Sequence, residues 1–590
     1  MKQVRTVQLL TREGEEFLAA KNTSLWNIYP RPHMRRESFF SLNGEWDLAI
    51  CEKETTQIEY NEKITVPFVP QSVLSGIGRR IAPKSILYYK KEFSLPEDFA
   101  REGKRVLLHF GAVDQIAKVS INSHLLGEHR GGYDSFCFDV TEYLSEVNIL
   151  EVEVRDELEN MVLPYGKQCE KRGGMWYTPT SGIWQTVWLE AVPERYIKEI
   201  RIVADERGVD VYAEGEGSLC GMVEMGHMRY YLKDGHARIE IAEPVFWTPD
   251  APHLYDIAVR VGEDRVESYF AFRTLEIKEH KGKNRLCLNG KPYFFHGLLD
   301  QGYFPDGIFL PASPAGYERD ITEAKKLGFN MLRKHIKIEP EVFYYYCDKL
   351  GMVVFQDMVN NSDYSFVRDT ALPTIGIRKL NDKKLHTDPE SRAAFLDAME
   401  KTVKRLSFHP SVCYWTIFNE GWGQFDHAAV YEKLKELDDS RFIDSVSGWF
   451  LPKKQKELAS DVESLHVYFK PIKTNERSAD EKPLVLSEFG GYSYKIEGHS
   501  FNLDKNYGYR TIKDGKEFEQ ALKTLYFTEV APAIEKGLCA AVYTQLSDVE
   551  DETNGLLSYD RKVLKIDKLR AQSFSAAIFE AFEEAVKVRE

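Results

Sequence analysis

Short segments of alternating apolar and polar residues fill the first 190 positions, for example KRVLLHFGAV (104–113) and AKVSINSHLLGEH (117–129), with Gly, Asn and Pro turn signals between them. Strand follows strand with no long helical pattern, which predicts a sandwich or jelly roll over 1–190. From 191 to 276 come more short strands, including YIKEIRIVAD (196–205) and HLYDIAVRVG (253–262), a segment sized for one immunoglobulin-like β-sandwich. Beyond it the texture changes. Apolar strand candidates at 293–299, 329–335, 351–358, 412–420, 441–448, 461–468, 483–490 and 539–546 alternate with helical patterns such as SPAGYERDITEAKKLG (313–328) and ESRAAFLDAMEKTVKRLSFH (390–409). Eight strands is the number that closes a TIM barrel. The predicted class is therefore multidomain, ending in a C-terminal (β/α)8 TIM barrel over 277–590.

Two of those strands break the apolar pattern in the same way. VCYWTIFNEGWG (412–423) is a run of the kind buried on both faces, and it stops at Asn419 and Glu420; PLVLSEFGG (483–491) stops at Glu488 and two glycines. A carboxylate there is costly to bury without a task or a partner. In this count Glu420 ends strand four and Glu488 strand seven, so in a parallel barrel both emerge on the C-terminal face, where barrel enzymes build their sites. Two carboxyl groups about 5 to 5.5 Å apart are the apparatus of a retaining glycosidase. The competing reading is a pair of unrelated capped strand ends.

Other strand ends carry polar residues that suit a sugar: His296 and Asp300, Arg333 and His335, Asp357, His466 and Tyr468, Gln545 and Asp548. Singly, each is as readily a satisfied structural group. Their recurrence on the face where barrel sites lie marks them as candidates. Trp422, Trp449 and Trp176 are candidates for stacking on sugar faces, with plain packing as the alternative. Lys334 and Lys337, at the expected mouth of strand two, could meet an acidic sugar, or else form a solvated basic edge.

Composition narrows the function. At 590 residues the chain exceeds one hydrophobic core, and its formal charge of −14 disfavours nucleic acid and anionic membrane surfaces as partners. No apolar run approaches a membrane span, and MKQVRTVQLLTREGEEF lacks the core of a signal peptide, so a cytoplasmic protein is expected. Eight scattered cysteines without a CxxC fit reduced thiols, and neither a metal site nor an organic cofactor is expected.

FNEGWG and SEFGG resemble the catalytic motifs of glycoside hydrolase family 2, the family of β-galactosidases, β-glucuronidases and β-mannosidases. SLNGEWDLAI (41–50), HFGAVDQIAKVSIN (109–122) and SGIWQTVWLE (181–190) look like the sugar-binding jelly roll that opens such enzymes, and FWTPDAPHLYDI (246–257) resembles a phrase of their immunoglobulin-like domain. The resemblance implies Glu420 as acid/base, Glu488 as nucleophile and Asn419 as donor to the sugar 2-hydroxyl. It also implies Arg333 as electrostatic support for the nucleophile, and Tyr468 of a His-x-Tyr with His466 as its hydrogen-bond partner. One departure stands out: family β-glucuronidases carry Asn-x-Lys where this chain has Glu552, Thr553 and Asn554, so the lysine that pairs with a glucuronate is absent.

The expected protein is an exo-acting retaining β-glycosidase acting on a small glycoside or oligosaccharide, with a β-D-galactoside first and a β-hexuronide, galacturonide before glucuronide, second. A non-catalytic carbohydrate-binding protein on the same fold is the rival from another class, and an endo-acting polysaccharide hydrolase a third reading. Whether the chain forms a homo-oligomer is left open.

Overall fold

The alternating segments of the first 190 residues make two antiparallel sheets packed face to face; along Asn148–Arg155 the buried side chains are Asn148, Leu150, Val152 and Val154. The computed structural model describes residues 5–20, 25–99, 101–158, 161–205, 207–372, 381–448, 458–472 and 481–587. One sheet has four strands, in the order Phe40–Ser41, Val187–Val192, Arg105–Phe110, Phe136–Asp139. The other has six, in the order Glu62–Val66, Gly44–Cys51, Ile86–Phe93, Asn148–Arg155, Ile116–Ile121, His124–Arg130. Leu48, Val66, Tyr89, Leu108, Phe110, Val119 and Val187 fill the layer between them.

The strand pattern hides one element. Arg12–Ala20 is an α-helix whose Phe17 meets Phe68 edge-on at 5.3 Å. Just before it, Thr11 donates from its backbone nitrogen and its hydroxyl to Asp306, which follows the first barrel strand. The opening segment thus packs on the barrel as well as on the sandwich.

A second sandwich follows, with sheets of three strands (Glu199–Asp205, Gly208–Glu214, His236–Glu240) and four (Met228–Leu232, Gly221–Met225, Tyr255–Val261, Asp264–Phe270) around Val209, Val211, Val223, Ile239, Val259 and Val266. Trp247, fully buried, donates from Nε1 to the Asp348 carbonyl at 2.8 Å and ties this unit to the barrel.

All eight barrel strands form, parallel throughout: Phe295–Asp300, Met331–Lys334, Val353–Asp357, Val412–Asn419, Phe442–Ser447, Glu463–Val467, Leu484–Gly490 and Leu538–Thr544. Backbone ladders run around the ring except between the fifth and sixth strands. There side chains bridge instead: Ser464 Oγ donates to the Val446 carbonyl at 3.3 Å, and Ser447 Oγ lies 2.6 Å from His466 Nε2. Every residue of the fourth and seventh strands is buried, since helices cover one face and the packed interior the other. Inside, Phe355 stacks on Tyr414 at 4.1 Å, and Arg285 plugs the lower end by donating to the Leu538 and Ile534 carbonyls at 3.0 and 3.1 Å. The helices Ala315–Lys326 and Pro389–Leu406 fall where the apolar spacing predicts them. The second starts with Pro389 in its first turn and Asp388 accepting from the Ser391 nitrogen at 2.7 Å.

The first sandwich also sends a long connection, 156–181, whose residues 161–181 run over the barrel's C-terminal face. It is pinned by Tyr165 to the Asn360 carbonyl (3.1 Å), by Asn361 to the Val162 carbonyl (2.6 Å), and by Thr178 and Arg172 to Glu550 (2.9 and 3.1 Å). The roof of the cleft is therefore built by a different part of the chain from its floor.

Candidate active site

The fourth strand ends by turning sharply. Glu420 has φ +50°, a left-handed conformation uncommon for a non-glycine residue, and its backbone nitrogen donates to the Ser447 carbonyl at 3.1 Å. Gly423 follows at φ +68°, where a Cβ would stand 2.8 Å from the Asn361 carbonyl oxygen, so the turn has room for glycine alone. Held this way, the Glu420 carboxylate is aimed across the barrel mouth.

Arg333 is the hub beneath it. From a fully buried position it donates to both Asp357 oxygens (2.9 and 3.0 Å), to Glu488 Oε1 (3.1 Å), to Asn419 Oδ1 (2.9 Å), to Ser447 Oγ (3.2 Å) and to the Ser487 carbonyl (2.9 Å). Because Oδ1 of Asn419 is held by a pure donor, its Nδ2 end is left to donate, and no acceptor for it occurs among the described residues. His335, two residues on and therefore on the same strand face, places Nδ1 2.7 Å from Asp357 Oδ2. Burial, joined by the charge of Lys167, pushes His335 down to about 4, so its ring is neutral near pH 7.

The two strand-end carboxylates occupy different surroundings. Glu488 receives Arg333 on one oxygen and the Tyr468 hydroxyl on the other at 2.6 Å. Burial alone would raise its pKa; His466, Arg333, His335 and the Tyr468 hydrogen bond outweigh burial and hold it down at about 2. Among the described residues no Arg or Lys stands within ion-pair distance of Glu420, whose Oε1 lies 2.9 Å from His466 Nδ1. The Arg333 guanidinium lies 3.4 Å from His466 Nε2, on the side of the ring away from Glu420.

Ligand atoms of Glu420, His466 and Glu488 all lie within 4.8 Å of one another. Three such groups could chelate a cation, but the guanidinium 3.1 Å from Glu488 opposes one by like-charge repulsion. What the pair can do without a metal is act on one bond from two sides.

Above the carboxylates stands an aromatic wall. Trp176, from the 156–181 connection, stacks on Trp422 at 5.1 Å and 14°, and Tyr364 meets both edge-on at 4.8 and 5.4 Å. Tyr509 stacks on Tyr468 at 3.5 Å. Ser447, Tyr364, Tyr509 and Lys167 were not singled out from the sequence. Ser447 carried the strand-end signal that marked its neighbours; the other three sit in connections without periodicity.

Several expected sugar contacts lie elsewhere. Lys334 alternates with Arg333 along its strand and so points away from the barrel axis, where its ammonium is buried between Asp300 (2.6 Å) and Glu339 (2.9 Å). Lys337 is equally buried, donating to Glu339 and to the Gly302 and Phe309 carbonyls. Neither reaches the cleft, and Asp300 belongs to the same network. Lys334→Met should leave the buried Asp300 carboxylate without its cation, while Glu339 keeps Lys337, and lower stability by about 3–5 kcal/mol, read as a lower urea midpoint. An unchanged midpoint with altered sugar preference would return Lys334 to the cleft.

His296 packs behind the barrel against Phe329 and Ser575, and burial pushes it down to about 3. Gln545 is fully buried with its amide taken by Gln301, Glu552 and Asn554 at 2.8 to 2.9 Å, so it shapes the loop after strand eight. Asp548 pairs with Lys565 at 2.6 Å. Trp449 lies outside the described residues.

Comparison with known proteins bears on the fold and the family. Residues 279–509 match the family description "Glycosyl hydrolases family 2, TIM barrel domain", and residues 55–177 match "Glycosyl hydrolase 2 galactose-binding domain-like". A β-galactosidase of Thermoanaerobacter pseudethanolicus is 23% identical over 71% of this chain and 56% of its own length. A β-glucuronidase of Felis catus is 22% identical over 78% of this chain and 82% of its own. The chain thus spans about half the length of the β-galactosidases it matches. Among solved structures, a β-D-glucuronidase from Dictyoglomus thermophilum shares the fold with a TM-score of 0.71 at 18% identity, covering 94% of this chain and 98% of that one.

Proposed function

This chain belongs to glycoside hydrolase family 2, and from that premise we propose that it is an exo-acting retaining β-glycosidase. The observation that carries the proposal is the spacing of its two cleft carboxylates, whose facing atoms lie within 4.8 Å. Retaining enzymes set their carboxyl groups about 5–5.5 Å apart and inverting ones about 6.5–9.5 Å, and oxygens this close favour the retaining arrangement.

The surroundings favour one assignment of roles. Glu488, ionised under Arg333 and Tyr468, attacks the anomeric carbon; Glu420 gives its proton to the glycosidic oxygen as the C1–O bond breaks. The sugar is then bound through an α-ester to Glu488. Glu420, now a carboxylate, takes a proton from water, which attacks C1 and releases Glu488 and a β-configured product. Asn419, with Nδ2 free to donate, holds the 2-hydroxyl, and His335, oriented by its Nδ1 contact with the buried Asp357, offers a neutral imidazole to a hydroxyl further round the ring. The stacked Trp176 and Trp422 bound the cleft on the side where a leaving group departs.

Proton NMR during hydrolysis tests the stereochemistry. The β-anomer of the free sugar should appear first and the α-anomer only later by mutarotation; α-anomer first would mean inversion and end this reading.

A further inference from the structure

We propose that Lys167 is the specificity-determining residue of this cleft, and that it selects sugars bearing a carboxylate at C5, the hexuronic acids. The inference rests on the glycosidase reading and adds the class of sugar. Lys167 lies in the 156–181 connection and is 6% exposed. Its Nζ stands 5.8 Å from the Trp422 ring and 5.5 Å from the Tyr177 ring, and among the described residues no hydrogen-bond acceptor or ion-pair partner is found for it. The side chain is thus held in place against two aromatic faces while its three ammonium protons stay available to an entering oxygen.

The charges around it say what kind of oxygen is missing. Glu420 and Glu488 end at the cleft, with Asp357 buried beneath them and Glu552 on the loop after strand eight, and Arg333 is already committed to Asp357 and Glu488. Lys167 is felt from opposite sides, since it helps to lower His335 on the floor and works against the burial that raises Glu552 on the loop after strand eight. It remains beyond ion-pair distance of Glu552. An acidic sugar entering near four carboxylates requires a cation that is not already paired, whereas a neutral sugar needs only hydrogen-bond partners such as Asn419 and His335. The two buried lysines beside strand two do not meet that need, and Lys167 does.

The test is a selectivity ratio: kcat/KM on p-nitrophenyl β-D-galacturonide and glucuronide, divided by kcat/KM on the galactoside and glucoside of matching configuration. The wild-type ratio should exceed one, fall about 100-fold in Lys167→Met, and be restored in large part by Lys167→Arg. Lys167→Gln serves in its place if Lys167→Met does not fold. A wild-type ratio below one, or a ratio unmoved by the substitution while glycosides are still cleaved, overturns the assignment and leaves the glycosidase reading standing. If the wild type cleaves no glycoside, that reading fails on its own, and calorimetric titration with galacturonate and glucuronate decides for Lys167. Binding lost in Lys167→Met supports its role; no binding, or binding kept in the variant, removes it.

Discussion

Glu488→Gln is expected to reduce kcat on every glycoside by about 10⁵-fold, the scale seen when a covalent nucleophile is removed from an otherwise intact site. The substitution is nearly isosteric: the amide oxygen can still accept from Arg333, and the amide nitrogen can donate to the Tyr468 hydroxyl, whose proton turns to Thr544 Oγ1 2.8 Å away, so the loss reports chemistry rather than collapse. A nucleophile must be unprotonated when the substrate arrives, and Glu488 is arranged for that. Burial penalises its charge, but His466, Arg333, His335 and Tyr468 hold its pKa at about 2, below the ordinary carboxylate value. A depressed folded-state pKa is a stabilising contribution present above the unfolded value and lost only as pH falls through about 2. Glu488 therefore stays charged between pH 5 and 8, and the acid limb of the activity profile belongs to another group.

Glu420→Gln should behave differently, and the difference identifies its role. With an alkyl leaving group, which departs only if protonated, kcat/KM is expected to fall about 10³-fold. With p-nitrophenolate as leaving group, glycosylation needs little acid help and should be far less affected. Deglycosylation still lacks its base, so the glycosyl-enzyme should accumulate and a burst of nitrophenol should precede a slow steady state. Steady-state and stopped-flow kinetics across leaving groups of graded pKa check both halves. Equal losses on all of them would remove Glu420 as the proton donor.

How far this site could be read from the chain follows from how strands are built. A barrel strand buried on both faces is written as an unbroken apolar run, so VCYWTIFN and PLVLSEF mark themselves, and the charge ending each run marks the open face. The same logic, taken one step further, separates Arg333 from Lys334. Neighbours on a strand point to opposite faces, and Arg333 with His335 turns inward to Asp357 while Lys334 turns outward to Asp300 and Glu339. Reading Lys334 and Lys337 as cleft cations overlooked that alternation and the acidic Glu339 beside them. Gln545 shows another limit, because nothing in its position along the chain reveals that three partners already occupy its amide. Lys167, Trp176, Tyr364 and Tyr509 reach the cleft through connections whose path is set by tertiary contacts such as Tyr165 to Asn360, which no periodicity encodes.

The central claim is that the sugar is carried on Glu488, and trapping tests it most directly. Wild-type protein is incubated with 2-deoxy-2-fluoro β-glycosides carrying an activated leaving group, in the galactosyl and the galacturonyl and glucuronyl series, and followed by intact-mass spectrometry and peptide mapping. A one-to-one mass increase of one fluorosugar, located on Glu488 in the 484–490 strand, is the predicted result. A label on any other residue, or inactivation without covalent mass, would contradict it.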